Sequence, residues 1–100
     1  MENMTEKSGL REKAMITVIG NDTKGIIARV SALLFESGIN ILDITQTLMQ
    51  NMFTMIMLCD ITENTLSFQE LTAALDGLGK EMGLSIRIQH EDIFNSMHRI

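Results

Sequence analysis

Residues 14 to 89 predict an α+β fold with the element order βαββαβ. Three observations predict it: four runs whose apolar residues alternate or fill both faces, two stretches with an apolar stripe at helical spacing, and a glycine or polar cap at each switch between them.

Ala14 to Gly20 (AMITVIG) reads as the first strand. Ile16 and Val18 share one face and Met15, Thr17 and Ile19 the other, and apolarity on both faces marks a central strand. A helix follows, with Ile26, Ile27, Val30, Leu33 and Leu34 on one stripe. Asp22 or Thr23 is the expected cap and Gly38 the expected stop. Ile39 to Gln50 and Met52 to Ile61 read as two strands joined in a hairpin at Gln50-Asn51. Ser67-Phe68-Gln69-Glu70 has the capping-box pattern and opens a second helix with the stripe Phe68, Leu71, Leu75, Leu78 and Met82, which Gly83 ends. In Leu84 to Gln89, Leu84, Ile86 and Ile88 alternate with Ser85, Arg87 and Gln89, as in an edge strand. Glu91 to Ile100 puts Ile93, Met97 and Ile100 on one side of a short helix, marginal alone and expected to dock on the body or on a partner.

This order corresponds to a ferredoxin-like split βαβ sandwich with an added C-terminal helix. The first and third strands belong in the centre of the sheet, and both helices cover one face. The third strand then puts Phe53, Met55, Met57 and Cys59 on one side and Met52, Ile56 and Leu58 on the other. A bare apolar face of that kind points to a partner, here a homodimer formed by sheet faces or by strand edges. The bland alternative is that the C-terminal helix folds over that face. Residues 1–13 are polar and mixed in charge and read as a flexible extension, leaving one domain over 14–100.

Composition narrows the function. Net charge is −5, which argues against nucleic acid or an anionic membrane as the main partner. No apolar run approaches the roughly 18 residues of a membrane span, and no apolar signal core opens the chain, so a cytoplasmic protein is expected. Cys59, the single cysteine, excludes an intrachain disulfide, a Cys-ligated zinc site and an iron–sulfur cluster. Nine methionines and no proline, tryptophan or tyrosine imply a soft aliphatic core.

The turn Gly20-Asn21-Asp22-Thr23-Lys24-Gly25 is the candidate site. It is not a P-loop, because Ile26 and Ile27 stand where the lysine and hydroxyl belong, and its glycines lack dinucleotide-site spacing. It has no cysteines for a heavy metal. Of the central strands' aromatics only Phe53 is available to stack on RNA. An acylphosphatase-like enzyme needs an arginine in this loop, whereas the chain has Lys24 there and Arg29 on the helix; this is the remote enzymatic alternative. What the turn does offer is an anion site. With a helix starting near Lys24, the N–H groups of Lys24, Gly25 and Ile26 point outward at the positive end of the dipole. Asp22 adds a carboxylate, Asn21 an amide, and Asn40 at the start of the second strand is expected to face the same opening. That set suits a ligand with one carboxylate and one ammonium group, an amino acid. The same residues also fit a plain turn, with Asp22 as helix cap and Asn40 turning the chain after Gly38.

The stretch VIGNDTKGIIARVSALLFESGINILDITQT resembles the start of an ACT domain, a small regulatory module of amino-acid metabolism. The shared features are the G-x-D-x-x-G-[IV] turn between strand and helix and Gly-[IV]-Asn-Ile opening the second strand. Asp43-Ile44-Thr45-Gln46-Thr47 and the C-terminal Ile93, Phe94 and Met97 are similar to stretches of the small stand-alone ACT proteins related to the glycine cleavage regulator. The resemblance implies dimerisation and effector binding near the first strand–helix turn. Carried over by position, it points to Asn21, Asp22, Gly25 and Asn40, with Gln46 added; Lys24 stands where many ACT domains have proline.

Other residues are read structurally. His90-Glu91-Asp92 and His98 lack metal-site spacing, Cys59 reads as a buried thiol, and Asp43 and Asp60 form no recognisable acid–base pair. The expectation is a non-enzymatic regulatory module that binds an amino acid as a homodimer through Asn21, Asp22, Lys24, Gly25, Ile26, Asn40 and Gln46. It needs no cofactor or metal and acts on a protein target. The alternative is a constitutive protein-interaction module whose turn binds nothing.

Overall fold

The structure, a computed structural model, describes residues 12–91. Its elements are β1 (Lys13–Asn21), α1 (Ile26–Glu36), β2 (Asn40–Met49), β3 (Met52–Asp60), α2 (Phe68–Met82) and β4 (Leu84–His90). The strands form one antiparallel sheet in the order β2-β3-β1-β4, with the first and third strands in the centre as expected. This is the ferredoxin-like arrangement. Apart from Glu91, the helix expected over 91–100 lies outside the described residues, as does the extension up to residue 11. Glu12 and Lys13 join the body, since the Glu12 carbonyl accepts the Ile61 N–H at 2.8 Å and Lys13 begins β1.

Alternation builds the core. Ala14, Ile16 and Val18 of β1, Phe53, Met55, Met57 and Cys59 of β3, and Leu84 and Ile86 of β4 turn towards the helices and are buried. Above them lie Ile26, Val30 and Leu34 of α1 and Leu71, Leu75 and Leu78 of α2. The two central strands supply seven of these side chains, which is why they are apolar on this face without a break. On the opposite face Ile19, Met52 and Ile56 are exposed among the described residues, as the strand pattern predicted.

Two expected core positions turn out differently. Ile27 is exposed on the flank of α1, and Phe68 is exposed at the start of α2. Both stand at the margin of their stripes, in the first turn of their helices. The edge strand is also less covered than an apolar reading suggests. Ile44 and Leu48 pair with Met57 and Phe53 and so face the helix side, yet both are exposed because α1 barely reaches β2. Phe35, on the outer side of α1, is 82% exposed.

Candidate functional site

Strand β1 ends at Asn21, and the chain turns through Asp22 to Gly25 before α1 begins at Ile26. The turn is tied to the hairpin beside it, where the Asp22 N–H donates to the Asn51 carbonyl at 2.9 Å. Gly25 is the N-cap, with φ 83° and ψ 9°, a left-handed conformation that glycine adopts without strain.

No side chain caps α1. The sequence pointed to Asp22 or Thr23 as cap and to a helix starting near Lys24; the structure starts it two residues later, on a backbone conformation rather than a capping side chain. The outward-pointing donors are therefore those of Ile26, Ile27 and Ala28, not Lys24 and Gly25. They precede Arg29, whose N–H makes the first intrahelical bond, to the Gly25 carbonyl at 2.9 Å.

These donors border a hollow of about 190 Å³ lined by Asp22, Thr23, Gly25, Ile26, Ile27, Ala28 and Phe53. Of the residues expected at the site, Asp22, Gly25 and Ile26 line it. Asn21 is the neighbouring strand end, paired with Met52, and Lys24 lies exposed on the turn without lining the hollow. Gln46 is on the edge strand opposite Met55, one cross-strand row below the Leu48–Phe53 pair, and on the helix side. Asn40 is not brought in within one protomer. It pairs with Asp60, whereas the turn adjoins the Asn21–Met52 end. The nine residues of β3 between those ends span about 26 Å. The reason is topological: β1 and β2 run parallel, so both begin at the end of the sheet far from the turn.

Sequence reasoning missed Phe53, Ile27 and Ala28. Phe53 carried a signal, being the one aromatic of the central strands, but its position beneath the turn depends on the β1–β3 register, which pairs it with Gly20.

The remaining chemistry around the turn is sparse. The Arg29 guanidinium is held by Glu81 of α2 at 2.8 Å, which directs it across the helix pair and away from the loop where an acylphosphatase-like site needs it. Larger hollows lie elsewhere. One of about 660 Å³ borders α2 and β4, and one of about 450 Å³ lies at the far end of the sheet beside the start of α2. Neither is lined by residues predicted for the site, and at the start of α2 the capping box already gives the Glu70 N–H a side-chain acceptor. Among the described residues no cluster of His, Cys, Asp and Glu is arranged to hold a metal, and no helix is long and apolar enough to cross a membrane. Burial pushes the Cys59 thiol up to about 11, so it is protonated and unreactive at neutral pH.

The family model of the ACT domain matches residues 12–89. The chain belongs to the ACT-domain family. A UPF0237 protein of Clostridium acetobutylicum is 58% identical over 88 residues, covering 88% of this chain and 99% of that protein. Among solved structures, an ACT domain protein from Streptococcus pneumoniae superposes with a TM-score of 0.74 at 37% identity, over 83% of this chain and 93% of that one. A protein named for a proposed role as glycine cleavage system transcriptional repressor superposes with a TM-score of 0.69 at 25% identity. That match covers 81% of this chain and 46% of the other, so this chain corresponds to about half of it. The ACT family consists in general of regulatory, ligand-binding modules.

Proposed function

We propose that this ACT domain is a cytoplasmic, non-enzymatic sensor that binds a free amino acid at the β1–α1 turn as a homodimer. The observation that carries the reading is the uncapped start of α1 above a hollow with Asp22 on its rim. The N–H groups of Ile26, Ile27 and Ala28 receive the ligand carboxylate, which the helix dipole also favours. Asp22 and the Asn21 amide hold the ammonium group. Gly25 lets the ligand approach the backbone, and Lys24 adds a positive charge at the entrance.

Dimerisation accounts for Asn40. Ile44 and Leu48 along β2 are exposed, as are Ile27 and Phe35 on α1, and β2 is an edge strand of the sheet. Pairing β2 with its copy in antiparallel fashion, about a two-fold axis near the middle of the strand, brings Asn40 of the partner subunit towards the turn end of this protomer. Gln46 then lies close to that axis. A ligand held between the two chains stabilises one arrangement of the dimer, and a protein target reads that arrangement.

A thermal-unfolding screen against the twenty amino acids tests the proposal. A ligand at about a hundred times its Kd adds roughly 2.7 kcal/mol to the folded state, a shift of several degrees for a domain of this size. The expected result is a shift from one amino acid that disappears in Asp22→Ala. If no amino acid shifts the midpoint, the alternative of a constitutive interaction module takes over; the uncovered sheet face with Ile19, Met52 and Ile56 supports that second reading.

A further inference from the structure

The end of the sheet far from the turn carries a feature the effector reading does not use. The hollow of about 450 Å³ there is lined by Glu12, Ile61, Thr62, Asn64, Leu66, Phe68 and His90. Its size falls in the range of roughly 300–1,000 Å³ that encloses a small ligand, so it has room for several side chains. Phe68 explains why it needs an occupant. It is the first member of the apolar stripe of α2, yet it is 42% exposed while Leu71 and Leu75 of the same stripe are fully buried. The Asn64 and Thr62 side chains on the wall are engaged internally. The Asn64 amide donates to the Leu66 carbonyl at 2.6 Å and accepts the Leu66 N–H at 3.0 Å, and the Thr62 hydroxyl accepts the Glu12 N–H at 2.9 Å. With that amide and hydroxyl already paired and Ile61, Leu66 and Phe68 on the wall, the hollow suits an apolar occupant.

The chain itself supplies one. His90 is on the rim of the hollow, and residues 92–100 continue from it. Ile93 is three residues beyond His90, within about 10 Å of it even when extended. Ile93, Met97 and Ile100 recur at the spacing of one helix face, with Phe94 beside them. We propose that residues 92–100 dock in this hollow of their own protomer, with Phe94 and Met97 against Phe68 and Leu66, and so complete the core at the start of α2. Methionine's flexible thioether fits an irregular wall of this kind.

The test is a comparison of amide chemical shifts between the unaltered full-length protein and two variants, Phe94→Ala and Met97→Ser, with Phe68→Ala as the reciprocal change. Docking predicts that both C-terminal variants move the signals of Thr62, Leu66 and Phe68, and that Phe68→Ala moves those of residues 93–100. Shifts confined to Met15, Thr17, Ile56 and Leu58 would overturn the proposal in favour of the open sheet face. So would changes limited to sequence neighbours of the substituted residue. In a mixed sample of labelled and unlabelled chains, contacts between residues 93–100 and Phe68 must arise within one chain; contacts between chains would assign the hollow to the partner's segment and sink the intrachain form. The hollow and the β1–α1 turn are at opposite ends of the sheet, so the outcome is independent of whether an amino acid binds.

Discussion

The two helices begin in opposite ways at opposite ends of the sheet. At the start of α2, the Ser67 hydroxyl accepts the Glu70 N–H at 3.0 Å and the Glu70 carboxylate accepts the Ser67 N–H at 2.9 Å, so side chains of the helix start satisfy two of its N–H groups. At the start of α1 no side chain does this, and Gly25 makes the turn by its backbone alone. The larger hollow is beside the capped end and the smaller beside the uncapped one. Volume is therefore a poor guide to where an anionic ligand binds here. What distinguishes the two ends is whether the first-turn N–H groups still need an acceptor.

The other end of α1 sharpens the contrast. Ser37 and Gly38 close it with N–H bonds back to Leu33, Leu34 and Phe35, and the Ser37 carbonyl accepts the Thr65 N–H at 2.9 Å. Gly38 has φ 79°, and a Cβ there would meet the Glu63 carbonyl oxygen at 2.7 Å. Gly38→Ala thus combines left-handed strain with a backbone overlap and is expected to cost about 3 kcal/mol in a denaturant titration. Gly25 is also left-handed, but a Cβ there meets only the Arg29 side chain, at 4.0 Å. Gly25→Ala is expected to cost only the conformational part, about 1 kcal/mol. Equal losses at the two positions would remove the distinction between a locked and an open end of α1.

A second effect bears on both helices together. The Cys59 thiol, on β3 in the shared core, is held up to about 11 by burial, against 9.0 for the exposed group. Between those values the unfolded chain has released a proton that the folded chain keeps. The corresponding stability is fully present below about pH 9 and is lost as pH rises towards 11, by about 2–3 kcal/mol in all. Cys59→Ala flattens that part of the pH profile. If the fall instead persists in the variant, another group is responsible.

These contrasts also explain how much was legible in the sequence. The capping box of α2 could be read because its partners are three residues apart and each type has one evident role. Strand order and facing could be read from period-two runs such as Leu84 to Gln89, since one buried face fixes the other. The start of α1 was misplaced because the rule for caps concerns side chains, and Gly25 acts through its φ angle. Asn40 was expected beside the turn of its own protomer because GIN follows the helix closely in sequence, but β1 and β2 run parallel on either side of β3, which puts the start of β2 at the far end of the sheet. Exposure of Ile44 and Leu48 was hidden as well, because strand alternation tells which face a residue points to, not whether a helix extends over it. Ser67→Ala checks the legible part. It is expected to cost about 1 kcal/mol and to leave any amino-acid response intact.

The smallest expected stability change carries the most information about function. Asp22 makes no capping bond, so Asp22→Ala lacks the cost of about 1 kcal/mol that loss of an N-cap brings. Its midpoint is expected to stay within the range of ordinary surface substitutions, about 0.5 kcal/mol. The response to the amino-acid effector is expected to vanish, because the ammonium group loses its only carboxylate on the rim of the hollow. Stability and response thus separate at Asp22, whereas at Ser67 they separate in the reverse sense. A stability loss near 1 kcal/mol in Asp22→Ala would mean that the carboxylate does cap α1 in solution. The first turn of α1 would then have a side-chain acceptor as that of α2 has, and the asymmetry between the two helix starts would no longer single out a binding site.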